Sequence, residues 1–160
     1  MDISHFFRIT PLEWTDIAVV LVCGGIIGFE RQFQGKPAGI RTSILICIGT
    51  YCFVKISASL TGGVADPGRV LGQVITGIGF LGAGVMMSRG GIVFGVTSAA
   101  VIWTLAAIGA AIGFRYYGAA LWVSFITVIL LTGVRLLEGR VPGLLKGAHK
   151  PPPDDESGQS

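Results

Sequence analysis

Residues 66–84, DPGRVLGQVITGIGFLGAG, decide how this chain folds. Asp66 and Arg69 stand three residues apart at the start, and apolar residues interspersed with glycines follow them. A P-loop is excluded, because no Lys-Ser/Thr pair follows the glycines. A buried strand and a helix built for close contact both remain possible for this stretch on its own, and the rest of the sequence separates them.

The composition of the chain is that of a membrane protein. Of its 160 residues, 51% are hydrophobic and 13% are charged, whereas about 25% of the residues of a soluble domain are charged. The net charge is +3, but the basic residues interrupt apolar runs and do not form a contiguous patch. Nucleic acid is therefore not a predicted partner, since it requires a continuous basic surface.

Five apolar segments follow one another along the chain, at residues 14–29, 40–60, 70–87, 96–113 and 118–137. A helix needs roughly 20 residues to cross a bilayer, and the last four segments meet or approach this length. We therefore predict an all-α membrane protein with five transmembrane helices. The predicted domains are a periplasmic segment at 1–13, a transmembrane domain at 14–138 and a cytoplasmic tail at 139–160, disordered at its end.

The orientation follows from the lysines and arginines. Three of them fall on one predicted side of the membrane, at Arg8, Arg69 and Arg115. The other side carries Arg31, Lys36, Arg41, Arg89, Arg135, Arg140, Lys146 and Lys150. The richer side is expected to be cytoplasmic, which predicts an outer N-terminus and an inner C-terminus.

Inside a bilayer the glycine-rich stretch is expected to be helical, because unpaired backbone groups are costly there. Asp66 and Pro67 suit a helix start, and small residues behind Arg69 form one stripe along the helix. Such stripes permit close helix packing, which predicts a central third helix with the first and fourth against it. The predicted packing residues are Gly24, Gly28, Gly72, Thr76, Gly77, Gly79, Gly82, Ala83, Gly109 and Gly113. A broken third helix that exposes carbonyl oxygens to an ion is the alternative.

Three stretches resemble the successive signatures of the MgtC/SapB family. They are GGIIGFERQFQGKPAGIRTSILICIGT at 24–50, DPGRVLGQVITGIGFLGAGVM at 66–86 and GVTSAAVIWTLAAIGAAIG at 95–113. The resemblance covers about residues 17–137 and implies a bacterial inner-membrane protein, typically of five spans. It also implies a role in adaptation to magnesium limitation, acid stress or life inside host cells, through regulation of membrane machines such as the F-type ATP synthase. The soluble C-terminal domain of longer members is not expected here.

The resemblance also singles out charged residues. The family's acidic residue before the glycine segment matches Asp66, its paired charges match Glu30 and Arg31, and its entry arginine matches Arg41. From the residues alone, Asp66 is either a helix cap or an ion or partner site at the outer mouth, with Arg69 as its neighbour.

The other charges allow two interpretations each. Glu30 and Arg31 either end the first helix at the interface or lie at membrane depth, where ionisable groups face protein or water. Arg41 is either a cytoplasmic anchor or a partner for Glu30. Lys55, late in the second segment, is expected to extend to the outer interface.

Two functions remain open at this stage. The first is a non-enzymatic regulator of ion homeostasis that forms a homodimer and contacts other membrane proteins. The second is a small dimeric ion or solute transporter, with Asp66 and Arg69 at the outer mouth and Glu30, Arg31 and Arg41 at the inner one. Catalytic residues, a cofactor and a metal site are not expected, since His5 and His149 stand at opposite ends of the chain and the cysteines lack a CxxC spacing.

Overall fold

The computed structural model describes residues 9–60, 66–89 and 92–140. This part of the chain is helical apart from one short hairpin. The helices are α1 (Trp14–Phe33), α2 (Ile40–Leu60), α3 (Pro67–Gly84), α4 (Val96–Gly113) and α5 (Tyr117–Arg140). The predicted all-α class is confirmed for the described residues. The histidines and the end of the tail lie outside them.

A hairpin, which the sequence did not predict, connects α3 to α4. Strands β1 (Met87–Arg89) and β2 (Ile92–Phe94) pair antiparallel, with Met87 opposite Phe94 and Arg89 opposite Ile92. The predicted apolar segment 70–87 ran through this boundary, because apolarity alone does not distinguish a helix from a short apolar strand. The third helix therefore ends at Gly84.

Three helices of the described chain, α2, α4 and α5, are long and apolar enough to cross a membrane. Helix α1 carries Asp16, Glu30 and Arg31 within its length. Helix α3 has the same length as α4, 18 residues, but is less apolar. The three apolar helices α2, α4 and α5 indicate that the chain is a membrane protein. The count of five spans, their orientation and the division at 1–13, 14–138 and 139–160 stay predictions.

Helix α4 is at the centre of the bundle, and α3 is at its edge. Helix α4 contacts each of the other four helices, whereas α3 packs on α4 and α2. Because α4 is apolar on every side, it can bury residues against all its neighbours, including Val101, Ile102, Leu105, Ile108 and Ile112. Helix α3 buries only Ile78 and Gly82 among its described residues. This differs from the expected central third helix.

Glycines at two helix crossings determine how closely the central helices approach. A Cβ atom on Gly28 of α1 would lie 2.6 Å from Ile40 Cα, and one on Gly24 would lie 3.1 Å from Ile44 Cα, both on α2. A Cβ atom on Gly109 of α4 would lie 2.4 Å from Cys47 O, and one on Gly113 would lie 2.7 Å from Val54 Cγ1. The close crossings therefore join α1 to α2 and α2 to α4.

The glycines of α3 are arranged differently. Among the described residues, a Cβ atom on Gly72, Gly77 or Gly79 would meet nothing within 4 Å, and one on Gly82 would make ordinary contacts of 3.7 Å with Ala99 and Trp103 of α4. Ala83 and Thr76 are exposed. Within one chain, most of the small-residue stripe therefore faces outward.

Candidate functional site: buried charges at both ends of the bundle

A buried carboxylate holds three helices together at one end of the bundle. Asp16, in the first turn of α1, is fully buried. Its carboxylate accepts hydrogen bonds from the Tyr51 hydroxyl of α2 at 3.0 Å and from the Tyr117 hydroxyl of α5 at 2.5 Å. The ammonium of Lys55 on α2 lies 3.1 Å from Asp16 Oδ2. A buried carboxylate requires such partners, because an unpaired one is strongly disfavoured.

Glu13, at the N-cap position of α1, extends this cluster towards the surface. Lys55 Nζ lies 3.5 Å from Glu13 Oε1, and the Arg115 guanidinium forms a salt bridge with the same carboxylate. The Glu13 backbone N–H donates to the Tyr51 hydroxyl at 3.0 Å. We call the set of Glu13, Asp16, Tyr51, Lys55, Arg115 and Tyr117 the Asp16 network. Its two carboxylates and two cations balance to zero net charge.

The turn after α4 positions Arg115 for this network. Arg115 adopts a left-handed backbone with φ of 65°, and the Tyr116 N–H reaches the Ala111 carbonyl at 2.8 Å. This is the Schellman ending of a helix, in which glycine usually takes the left-handed position. Here an arginine takes the left-handed position, which is unfavourable for a residue with a side chain. Its guanidinium reaches both Glu13 and the Tyr117 hydroxyl.

Sequence analysis missed most of the Asp16 network. Asp16 is the one charged residue within segment 14–29, and Lys55 is the second charge, after Arg41, within segment 40–60. Charges at membrane depth usually find a partner inside the protein, so these two residues carried a usable signal. The Lys55 side chain is only 11% exposed, and its ammonium lies on Asp16 and Glu13 at the end of the bundle where α1 begins. Its position at the outer interface stays a prediction.

The opposite end of α1 carries a second buried charge pair. Arg31 donates from Nε to Glu30 Oε2 at 2.5 Å and from Nη2 to Glu30 Oε1 at 2.8 Å. Both side chains are buried, and α1 continues beyond them to Phe33. The pair therefore lies in the last turn of α1, buried, just before the helix ends. The two-bond geometry is the strong form of an arginine–carboxylate interaction.

Glu30 also borders a groove of about 520 Å³ between α1 and α5. The groove is lined mainly by apolar side chains, among them Ile26, Phe29 and Phe33 of α1 and Val128 of α5. Arg41 does not contribute to the pair. It is exposed in the first turn of α2, and among the described residues it forms no salt bridge with Glu30.

Asp66 acts as a helix cap. Its side chain accepts a hydrogen bond from the Gly68 N–H at 2.9 Å, and Pro67 is the first residue of α3. Asp66 and Arg69 are both exposed, and no salt bridge joins them in the part of the chain that the structure describes. The transporter hypothesis placed Asp66 and Arg69 at the outer mouth and Glu30, Arg31 and Arg41 at the inner one. Among these residues, only Glu30 and Arg31 form a salt bridge in the described part of the chain.

An apolar core separates the Asp16 network from the Glu30–Arg31 pair. The two sites are 14 residues apart on α1, which corresponds to about 21 Å of helix. The buried α1 residues between them are Val20, Cys23, Gly24, Ile27 and Gly28. Cys47 and Leu105 complete the same core, and the Cys47 thiol donates to the Leu105 carbonyl.

Polar atoms inside the described residues are satisfied by the protein itself. Every buried side-chain nitrogen and oxygen there has a hydrogen-bond partner. The same residues hold no cluster of three or more His, Cys, Asp or Glu side chains that could bind a metal ion. The charges of the Asp16 network thus bind α1, α2 and α5 to one another, whereas Glu30 and Arg31 pair within α1.

Comparison with known proteins places the chain in a family. The model of the MgtC family matches residues 17–140. The chain belongs to the MgtC family. It shares 37% identity over 151 residues with Protein MgtC of Brucella abortus, covering 88% of this chain and 62% of that protein.

Other MgtC family relatives are similarly close. The Putative magnesium transporter YhiD of Escherichia coli K12 is 41% identical over 122 residues, covering 72% of this chain and 56% of YhiD. Protein MgtC of Salmonella typhimurium is 38% identical over 123 residues, covering 77% of this chain and 52% of that protein. The chain thus spans only part of the length of these relatives. No solved structure matches it.

Proposed function

We propose that this MgtC family chain is a bacterial inner-membrane protein that regulates other membrane proteins through helix contacts. In this proposal it acts without catalysis, in magnesium-linked ion homeostasis and in adaptation to stress or to a host. The observation that carries the proposal is that the buried charged side chains have their partners within the described part of the chain. The Asp16 network and the Glu30–Arg31 pair are satisfied from within, with an apolar core between them.

The exposed face of α3 supports a contact role. Gly72, Gly77 and Gly79 have open space where a side chain would be, and the Thr76 hydroxyl bonds to the Gly72 carbonyl of its own helix. In lipid, such a smooth face favours close approach of another helix. The proposed occupants are a second copy of the chain and other membrane proteins, for which the ATP synthase and transporters are the candidates that the family resemblance suggests.

The alternative is a small ion transporter, and the name of one relative favours it: YhiD is called a putative magnesium transporter. In that case Asp66 and Arg69 would line one mouth, and Glu30, Arg31 and Arg41 the other. The broken third helix that would suit this function is not observed, since α3 is continuous from Pro67 to Gly84. The buried core of Val20, Ile27 and Leu105 also opposes an ion path along α1.

Flux measurements separate the two functions. The purified chain, checked for helicity by circular dichroism and for a single species by size-exclusion chromatography, is reconstituted into liposomes. Uptake of Mg²⁺, K⁺ and H⁺ is then followed with encapsulated fluorescent indicators, with protein-free vesicles and an ionophore as controls. We expect no uptake above that of protein-free vesicles under any gradient. Saturable uptake by the wild-type chain would reject the regulator and support the transporter.

A further inference from the structure

Lys55 occupies a position that a bound cation would take. Its Nζ lies 3.1 Å from Asp16 Oδ2 and 3.5 Å from Glu13 Oε1, so it bridges two carboxylates. The hydroxyls of Tyr51 and Tyr117 complete an oxygen-rich surrounding at Asp16. Carboxylate oxygens grouped in this way are the ligands that hard cations prefer.

The neighbouring charges show why a cation is needed at this point. Arg115 contacts Glu13, and the structure gives it no contact with the Asp16 carboxylate. Without Lys55, the described network would hold two carboxylates and one arginine, a net charge of −1. Asp16, which is 0% exposed, would then have hydroxyl partners alone. A buried carboxylate in that state recruits a cation or a proton.

Helix α2 delivers the ammonium to this position. Tyr51 and Lys55 are four residues apart and therefore share one face of the helix, and both reach Asp16. A lysine suits the position because its ammonium is a compact charge with three N–H donors, whereas arginine presents a planar fork. Its stem is largely covered, since the side chain is only 11% exposed.

We infer that Lys55 is a tethered cation that fills a cation site formed by Asp16 and Glu13. When its side chain is removed, the site takes a small inorganic cation or an organic ammonium ion. The site faces the end of the bundle at which α1 begins and α2 ends, and in the wild-type chain it does not exchange ions. This inference goes beyond the proposed function and does not depend on it. Ion flux tests the proposed function, whereas thermal stability tests this inference.

The test measures thermal stability of purified Lys55→Ala in detergent, in a choline chloride buffer of constant ionic strength. Loss of one partner of a buried pair is strongly destabilising, so we expect the melting temperature to fall by about 6–20 °C. Replacing choline by Na⁺, Mg²⁺ or propylammonium should recover at least about half of that loss in Lys55→Ala. The wild type should not respond.

Two controls define the site. Lys36→Ala, at an exposed position before α2, should melt as the wild type does and should not respond to cations. Adding Asp16→Asn to Lys55→Ala should abolish the recovery, because a carboxylate of the site is then lost. Full stability of Lys55→Ala in choline, or a loss that no added cation reverses, would overturn the inference. Recovery by acid alone would also overturn it, since a proton would then suffice.

A further variant covers the case in which Lys55→Ala does not fold. The neutral pair Asp16→Asn/Lys55→Gln removes both charges and keeps hydrogen-bonding groups of similar size. Folded protein from this pair would show that Lys55 is required to neutralise Asp16, as the inference states. Failure of this pair to fold as well would show that Lys55 acts through packing and would overturn the inference.

Discussion

Gly109 of α4 packs directly on the backbone carbonyl of Cys47 in α2. A Cβ atom at Gly109 would lie 2.4 Å from that oxygen and 3.0 Å from Thr50 Cβ. Both obstacles belong to a buried part of α2, and the nearest of them is backbone. The approach of the two central helices therefore depends on this glycine having no side chain.

Gly109→Ala is expected to destabilise the bundle, because α2 and α4 must separate to admit the methyl group. Overpacking of this kind costs about 1–3 kcal/mol. The matched control is Gly49→Ala in α2, where a Cβ atom would meet nothing within 4 Å. Thermal unfolding followed by circular dichroism compares the two. A Gly109→Ala variant as stable as Gly49→Ala would contradict the observed crossing.

Two aspartates are expected to respond differently to the same change to asparagine. Asp16→Asn leaves the Lys55 ammonium in a largely covered position with only Glu13, and removing one member of a buried pair costs about 3–5 kcal/mol. Asp66→Asn keeps a capping oxygen for the Gly68 N–H at an exposed site, and asparagine caps about as well as aspartate. Melting temperatures should fall for Asp16→Asn and stay the same for Asp66→Asn. Equal effects would refute the distinction between network and cap.

The Glu30–Arg31 pair is expected to show strong coupling in a double-mutant cycle. Glu30→Gln leaves Arg31 buried without its carboxylate, and Arg31→Gln leaves Glu30 buried without its cation. The double variant removes both charges, so its loss of stability should be smaller than the sum of the single losses by roughly 1–3 kcal/mol. Additive losses would show that the two side chains do not depend on each other.

The face of α3 gives a prediction about assembly. A Cβ atom at Gly79 would meet nothing within 4 Å among the described residues, so the monomer is expected to stay folded in Gly79→Leu. If the face holds a second copy, the branched side chain should separate the two chains, which native mass spectrometry in detergent measures directly. The control is Gly25→Leu, at another glycine with open space but on α1. An unchanged oligomer in Gly79→Leu would exclude this face as the dimer contact.

Cysteine labelling of intact cells tests the predicted orientation. Ser88 is exposed in the hairpin on the predicted inner side, and Tyr116 is 66% exposed after α4 on the predicted outer side. A membrane-impermeant maleimide should label Tyr116→Cys and not Ser88→Cys. The native cysteines are buried or half-buried, so the wild type measures the background. The reverse pattern would invert the topology.

The membrane class, one helix start and the family of this protein could be predicted from its sequence, because each depends on residues close together in the chain. Low charge and long apolar runs predict a membrane protein, since such segments cannot be covered by the polar residues available. The Asp66–Pro67 helix start depends on neighbours two residues away, and it is present as a cap. The motifs around Glu30 and Arg31 and in the glycine stretch also identified the family, which the match over residues 17–140 confirms.

Tertiary structure decided which of these features meet. Small residues occur in several helices, and their spacing alone does not say which helix each one faces. A Cβ atom on Gly109 would meet Cys47, whereas one on Gly79 would meet nothing within 4 Å among the described residues. Helix α4, which contacts the other four helices, and not α3 is central. Asp16 finds Tyr51 and Tyr117 at separations of 35 and 101 residues. The sequence determined that buried charges need partners, and the packing of the helices selected those partners, because that choice depends on contacts between residues far apart in the chain.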